Sequence, residues 1–111
     1  MNYSIIPTRR FERELKRLAK KFPSLKNEFA DLIIEITANP MVGVFISNNC
    51  YKIRLAIGSK GKGKSGGARV ISYLYIETET VYLLTIYDKS EKNDLKPNEL
   101  KEMIDSLELD V

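Results

Sequence analysis

Tyr51-Lys52-Ile53-Arg54-Leu55 alternates apolar and cationic side chains with a period of two. In an extended chain that period puts Tyr51, Ile53 and Leu55 on one face and Lys52 and Arg54 on the other. The stretch therefore predicts a half-buried strand with a positively charged outer face. After a loop rich in glycine and lysine, Ala68 to Ile76 is β-branched and aromatic. Val81 to Tyr87 repeats that character across the turn Glu77-Thr78-Glu79. Strands that follow one another in this way predict an antiparallel meander.

Toward the N-terminus the apolar period lengthens to that of a helix. Leu25, Phe29, Leu32, Ile33 and Ile36 share one side of a helix that Ser24 can cap and Asn39-Pro40 stops. Before it, Phe11, Leu15, Leu18, Ala19 and Phe22 line a helix capped by Thr8 and ended at Pro23. The other face of that helix carries Arg13, Lys16, Arg17 and Lys20 and reads as solvated. Tyr3 to Ile6, halted by Pro7, reads as an edge strand. Toward the C-terminus, a helix beginning near Pro97 aligns Leu100, Met103, Ile104 and Leu107. The order β-α-α-β-β-β-α, with strands clustered after a helical hairpin, predicts an α+β domain with an antiparallel sheet.

The 111 residues suit one domain, 1–111, with one core. No apolar run approaches the roughly 20 residues of a membrane span, and Met1 to Arg10 lacks the apolar core of a signal peptide. The expected location is the cytoplasm, with no membrane partner. Cys50 is the sole cysteine and histidine is absent. Thiolate and imidazole metal sites are thereby excluded, and so is catalysis that needs an imidazole. No metal and no cofactor are expected. The net charge of +3 hides an asymmetry. From Ile36 to Ile76 there is no Asp or Glu, while Lys52, Arg54, Lys60, Lys62, Lys64 and Arg69 all fall there. A one-sign field of this kind attracts polyanions.

Gly58-Ser59-Lys60-Gly61-Lys62-Gly63-Lys64-Ser65 fits the phosphate-loop pattern G-x-x-x-x-G-K-S letter for letter. That loop works because a helix begins straight after it and aims backbone N–H groups at the phosphates. Here Gly66-Gly67 and then Arg69-Val70-Ile71-Ser72-Tyr73 follow, which is strand chemistry, so the match is rejected.

The chemistry lies in the cations and tyrosines. Arg69 opens its strand beside a Gly-Gly pair and is expected to project outward. Tyr87 and Lys89 sit where the last strand ends. In a meander, Lys52, Arg54, Arg69, Tyr87 and Lys89 can converge on one patch. Cleavage of RNA through its own 2′-hydroxyl needs a proton acceptor, cations for the extra phosphate charge and a donor for the leaving 5′-oxygen. Arginine and lysine suit the charge. A lysine crowded by cations can lose its proton near neutral pH and act as the base. Tyr73, Tyr75 and Tyr82 read as packing residues, and Asp88 and Asp94 as turn residues.

Cys50-Tyr51-Lys52-Ile53-Arg54-Leu55, Gly66-Gly67-Ala68-Arg69-Val70-Ile71-Ser72-Tyr73 and Val81-Tyr82-Leu83-Leu84-Thr85-Ile86-Tyr87-Asp88-Lys89 resemble toxins of the RelE/HigB group of bacterial toxin–antitoxin modules. The resemblance runs from about Phe11 to Ile104. It implies a helical hairpin packed on a small antiparallel sheet, cleavage of messenger RNA on the ribosome, and a cognate antitoxin as partner. It matches Lys52 and Arg54 to a pair of strand cations, the first a candidate base. Arg69 matches an arginine that holds the scissile phosphate, and Lys89 a position where many members have arginine. No tyrosine follows Tyr87 and there is no histidine, so Tyr87 is the substitute for stacking or proton transfer. Lys60, Lys62 and Lys64 are expected to contact the RNA backbone. Two rival functions remain: a gyrase poison of the ParE type, and an RNA-binding module without catalysis.

Overall fold

The computed structural model describes residues 3–61 and 66–107. Strand β1 (Ser4–Pro7) leads into helix α1 (Arg9–Lys21), and helix α2 (Leu25–Ala38) folds back beside it. Strands β2 (Val44–Ser47), β3 (Cys50–Leu55), β4 (Ala68–Tyr75) and β5 (Thr80–Asp88) follow, and then helix α3 (Glu99–Asp105). The sheet order is β1-β5-β4-β3-β2.

The meander β3-β4-β5 is antiparallel, as the alternation predicts. The sheet as a whole is mixed, because β1 runs parallel to β5, with Ser4 opposite Thr80 and Pro7 opposite Leu83. The long connection between them, two helices and three strands, allows this direction, which a tight hairpin forbids. Pro7 lies on an edge strand, where its missing N–H does no harm.

Strand β2 is absent from the sequence reading. Its apolar residues are not spaced by polar ones, and Val44 and Phe45 stay exposed, so no alternation marks it. It hairpins onto β3 through Asn48 and Asn49, both left-handed at φ 48° and 60°. Asparagine tolerates that region better than most residues, which suits a two-residue turn between Ser47 and Cys50.

Each sheet face has its own cover. On one, Phe11 and Leu18 of α1 and Leu25, Leu32 and Ile36 of α2 pack with Ile53, Val70, Leu83 and Ile86. On the other, Leu100 and Met103 of α3 pack with Cys50, Ile71, Leu84 and Tyr87. The β4–β5 ladder slips between Ile71, opposite Thr85, and Ser72, opposite Leu83, so Leu84 is the extra residue of a bulge. The bulge shifts the alternation of β5 and lets Leu83 and Ile86, three apart, face the same helices.

Thr8 caps α1 by accepting from the Phe11 N–H at 3.2 Å, and its hydroxyl donates to the Leu83 carbonyl at 3.0 Å. Glu14 ties the same helix to β5 by accepting from the Thr85 hydroxyl at 2.7 Å. Ser24 precedes α2 as expected but makes no side-chain cap. Its Oγ accepts instead from the Ser59 N–H at 3.0 Å, anchoring the 3-10 turn Gly58–Lys60 to the helical hairpin. Among the described residues no helix is long and apolar enough to cross a membrane.

Candidate active site

Arg54 on β3, Arg69 on β4 and Tyr87 on β5 lie directly opposite one another in neighbouring strands. Ile53 faces the helical hairpin, so Lys52 and Arg54 face the other way, and Ile71 and Tyr87 pack on the α3 side. The three residues therefore form one row across the α3 face. Lys52 stands two positions along β3, opposite Ile71. Lys89 follows β5 directly, and its N–H donates to the Gly67 carbonyl at 3.0 Å. Gly67 is held closely here, since a Cβ on it would collide with the Leu55 carbonyl. The five residues expected to converge thus start from one end of the meander.

Their exposure differs from expectation at Arg69. Arg54 is exposed, but Arg69 is only 4% exposed rather than projecting outward. Alternation gives the face on which a side chain stands, not what later lies over that face. The Arg69 Nη1 donates to its neighbour's carbonyl, Ala68 O, at 3.1 Å.

Tyr87 is 5% exposed, and its buried hydroxyl has no hydrogen-bond partner among the described residues. Burial pushes its phenol above the ordinary value, Asp94 and Glu99 add to the shift, and Arg69 opposes it. The phenol stays protonated at neutral pH and has a donor to offer. The Lys92 ammonium lies 5.8 Å from the Tyr87 ring centroid.

Two carboxylates read as turn residues have larger roles. Asp94 accepts from the Lys52 ammonium at 3.0 Å, with the Lys52 side chain 27% exposed and the Asp94 side chain 63% exposed. That bond, with the Leu95 N–H, holds the Asp94 carboxyl below its ordinary range. The cation expected to serve as base is thus neutralised by the segment after β5. Asp88 takes Lys60. The Lys60 ammonium donates to Asp88 at 2.5 Å and to the Ser90 hydroxyl at 2.7 Å, and its side chain is 8% exposed. Burial raises the Asp88 carboxyl, but the bonds from Lys60 and Ser90 outweigh it and the net shift is downward. Lys60, expected to contact RNA, is instead a buried strut 5.6 Å from the Phe22 ring centroid, on the hairpin side. Lys62 and Lys64 lie outside the described residues.

Tyr73 stacks with Tyr75 at 6.3 Å and with Tyr82 at 6.4 Å between ring centroids, as packing residues do. Nothing local in the sequence marks Asp94 or Lys92 as neighbours of the row, because both contacts join residues far apart in the chain or across a loop.

No protein-family model matches the chain. Solved structures do. A mutant of the Escherichia coli toxin RelE in the free state superposes with a TM-score of 0.60 at 17% identity, covering 84% of this chain and 90% of that one. The chain has the RelE fold. The isolated E. coli RelE toxin gives 0.59 at 16% identity over 93% of this chain and 96% of its own. The toxin–antitoxin complex RelBE2 of Mycobacterium tuberculosis gives 0.55 at 18% identity over 79% and 99%. On this RelE scaffold, the Arg54–Arg69–Tyr87 row lies at the end of the meander from which the glycine–lysine loop departs.

Proposed function

We propose that this protein is the toxin of a toxin–antitoxin pair and cleaves messenger RNA on the ribosome by attack of the RNA's own 2′-hydroxyl. The observation that carries the reading is the row itself: two guanidiniums and a buried phenol without a hydrogen-bond partner among the described residues, side by side on adjacent strands of a RelE fold. In that reaction the 2′-oxygen bonds to phosphorus, the bond to the 5′-oxygen breaks, and a 2′,3′-cyclic phosphate and a 5′-hydroxyl are left. Arg54 and Arg69 stabilise the charge that builds on the phosphoryl oxygens. Tyr87, neutral and with a free O–H, donates toward the leaving 5′-oxygen. Lys52 is the candidate acceptor of the 2′-hydroxyl proton. A lysine accepts a proton only as a free amine, so its contact with Asp94 has to open first. Lys89, beside the row, adds a cation for the backbone.

Relatives of this fold have been solved with antitoxins, among them RelE in the intact E. coli RelBE complex. A cognate antitoxin is the partner that a free-standing ribonuclease of this kind requires in its own cell. Inducing the protein in growing cells and mapping messenger RNA 5′ ends tests the reading. Cuts inside translated frames support it. Intact transcripts with broken DNA would favour a gyrase poison, and RNA bound without cleavage would favour a binding module.

A further inference from the structure

The sheet has two open edges, and they are protected differently. The β1 edge ends in Pro7, which has no N–H to offer a further strand, and α1 follows at once. At β2, among the described residues, no helix, loop or side chain hydrogen-bonds to the outer N–H and carbonyl groups. The bulge between Phe45 and Ser47 lies toward the far end of the strand, so Val44 and Phe45 pair in regular register with β3 and keep a regular outer edge. Met41, Val44 and Phe45 are each more than half exposed. From Ile36 to Tyr51 the sequence has no charged residue, although 30% of the chain is charged. The lysines that commonly guard such an edge are missing from it.

That composition narrows what can cover the edge. A nucleic acid needs cations along its path, and the stretch supplies none. A strongly charged protein segment finds no opposite charge there. A second copy of this chain is a different case. Two molecules of net charge +3 repel where their cations meet, and the uncharged stretch is where they approach with least repulsion. Burying it strands no charge. An antiparallel strand pair is also its own two-fold partner, since each β2 offers the other the same N–H and carbonyl groups that it lacks. We propose that the protein self-associates edge to edge, β2 against β2 and antiparallel, joining two sheets into one. Val44 meets the partner strand on one face of that sheet and Phe45 on the other. The two-fold axis of such a pair stands perpendicular to the sheet, so the α3 faces of both copies lie on the same side. Lys52 is opposite Val44 on β3, so the two candidate rows open onto one continuous face. The inference holds whether or not the protein cleaves RNA.

Sedimentation equilibrium of the full chain across a concentration series tests this. The expected result is an equilibrium between the mass of one chain and twice that mass. Amide exchange at Val44 and Phe45 should slow as the dimer fills, a readout that needs no variant. Phe45→Lys and Phe45→Glu should each weaken the dimer by about tenfold or more, because like charges then face each other across the edge. Mixing the two variants should restore a dimer, because the charges become opposite. Phe45 is exposed, so both variants should keep the parent's circular dichroism. A single-chain mass up to millimolar protein would overturn the proposal. So would a dimer that both variants leave intact, or folded variants that stay monomeric when mixed. Exchange protection at Val44 and Phe45 that comes only with the product of a neighbouring gene would assign the edge to a foreign strand instead.

Discussion

Arg69 carries a permanent charge and is nevertheless buried between two strands, with Arg54 on one side and Tyr87 on the other. Such a residue contributes to packing and, in the proposed reaction, to chemistry, and the two contributions separate in different substitutions. Arg69→Lys keeps the charge and most of the stem but loses the planar fork of donors. It should lower single-turnover cleavage by about 10²–10³-fold, as loss of an oriented charge donor does elsewhere, while the melting temperature stays near that of the parent. Arg69→Ala should lower both, because it also empties a buried volume. A folded Arg69→Lys protein that cleaves at the parent rate would remove Arg69 from the site.

Asp94 is the other residue where a single contact decides the outcome. It pairs with Lys52, which in the proposed reaction has to leave it before meeting the RNA, first as a cation at a phosphate and then, once deprotonated, as the proton acceptor. Asp94→Asn should tighten binding of single-stranded RNA and steepen its salt dependence by roughly 0.7 in log–log slope, one phosphate contact's worth. In the parent, the Asp94 carboxyl is held below its ordinary range by Lys52, so it stays ionised through neutral and mildly acidic pH. Competition between Asp94 and RNA should therefore relax only as pH falls below that range. Filter binding across salt and pH reads both, and an unchanged salt slope in Asp94→Asn would mean that Lys52 does not reach the RNA.

At the scale of elements, the meander is where sequence and structure agree most closely. Alternation along β3 places Ile53 in the core and Lys52 and Arg54 on the opposite face, and the cross-strand register then aligns Arg54, Arg69 and Tyr87. The hairpin and α3 are equally legible from their apolar stripes. What the sequence does not show follows from contacts without a local signature. Strand β2 lacks alternation. The burial of Arg69 has no local mark. The sequestering of Lys60 depends on Asp88, 28 positions away. That last pair holds the base of the glycine–lysine loop against the end of β5. The Asp88 carboxyl has a depressed pKa in the folded protein. Its stabilisation is thus complete above the ordinary carboxylate range and fades as pH falls through it. Lys60→Met leaves the buried Asp88 with the Ser90 N–H but without its cation and should cost about 3–5 kcal/mol, whereas Lys60→Met with Asp88→Asn should recover part of that loss. Denaturant melts at neutral pH check the pair. A harmless Lys60→Met would show that the strut carries no load.

For the whole molecule, the two covers of the sheet differ in kind. The hairpin side is a continuous apolar core. The α3 side combines a short helix with ion pairs from Asp94 to Lys52, Glu91 to Arg17 and Glu99 to Arg10. The row sits at the border of that second, more polar cover, where the register of the meander aligns it and the chain after β5 brings Lys92 to Tyr87 and Asp94 to Lys52. The proposed cleavage there through the 2′-hydroxyl makes a sharp chemical prediction. Once the cut is mapped on a ribosome-bound message, the nucleotide on its 5′ side can be replaced by its 2′-deoxy form and the purified protein added. The expected result is cleavage of the all-ribose message with a 2′,3′-cyclic phosphate upstream and a 5′-hydroxyl downstream, and no cleavage at the deoxy position. Cutting of the deoxy message at the same rate, or a 5′-phosphate on the downstream product, would contradict the account.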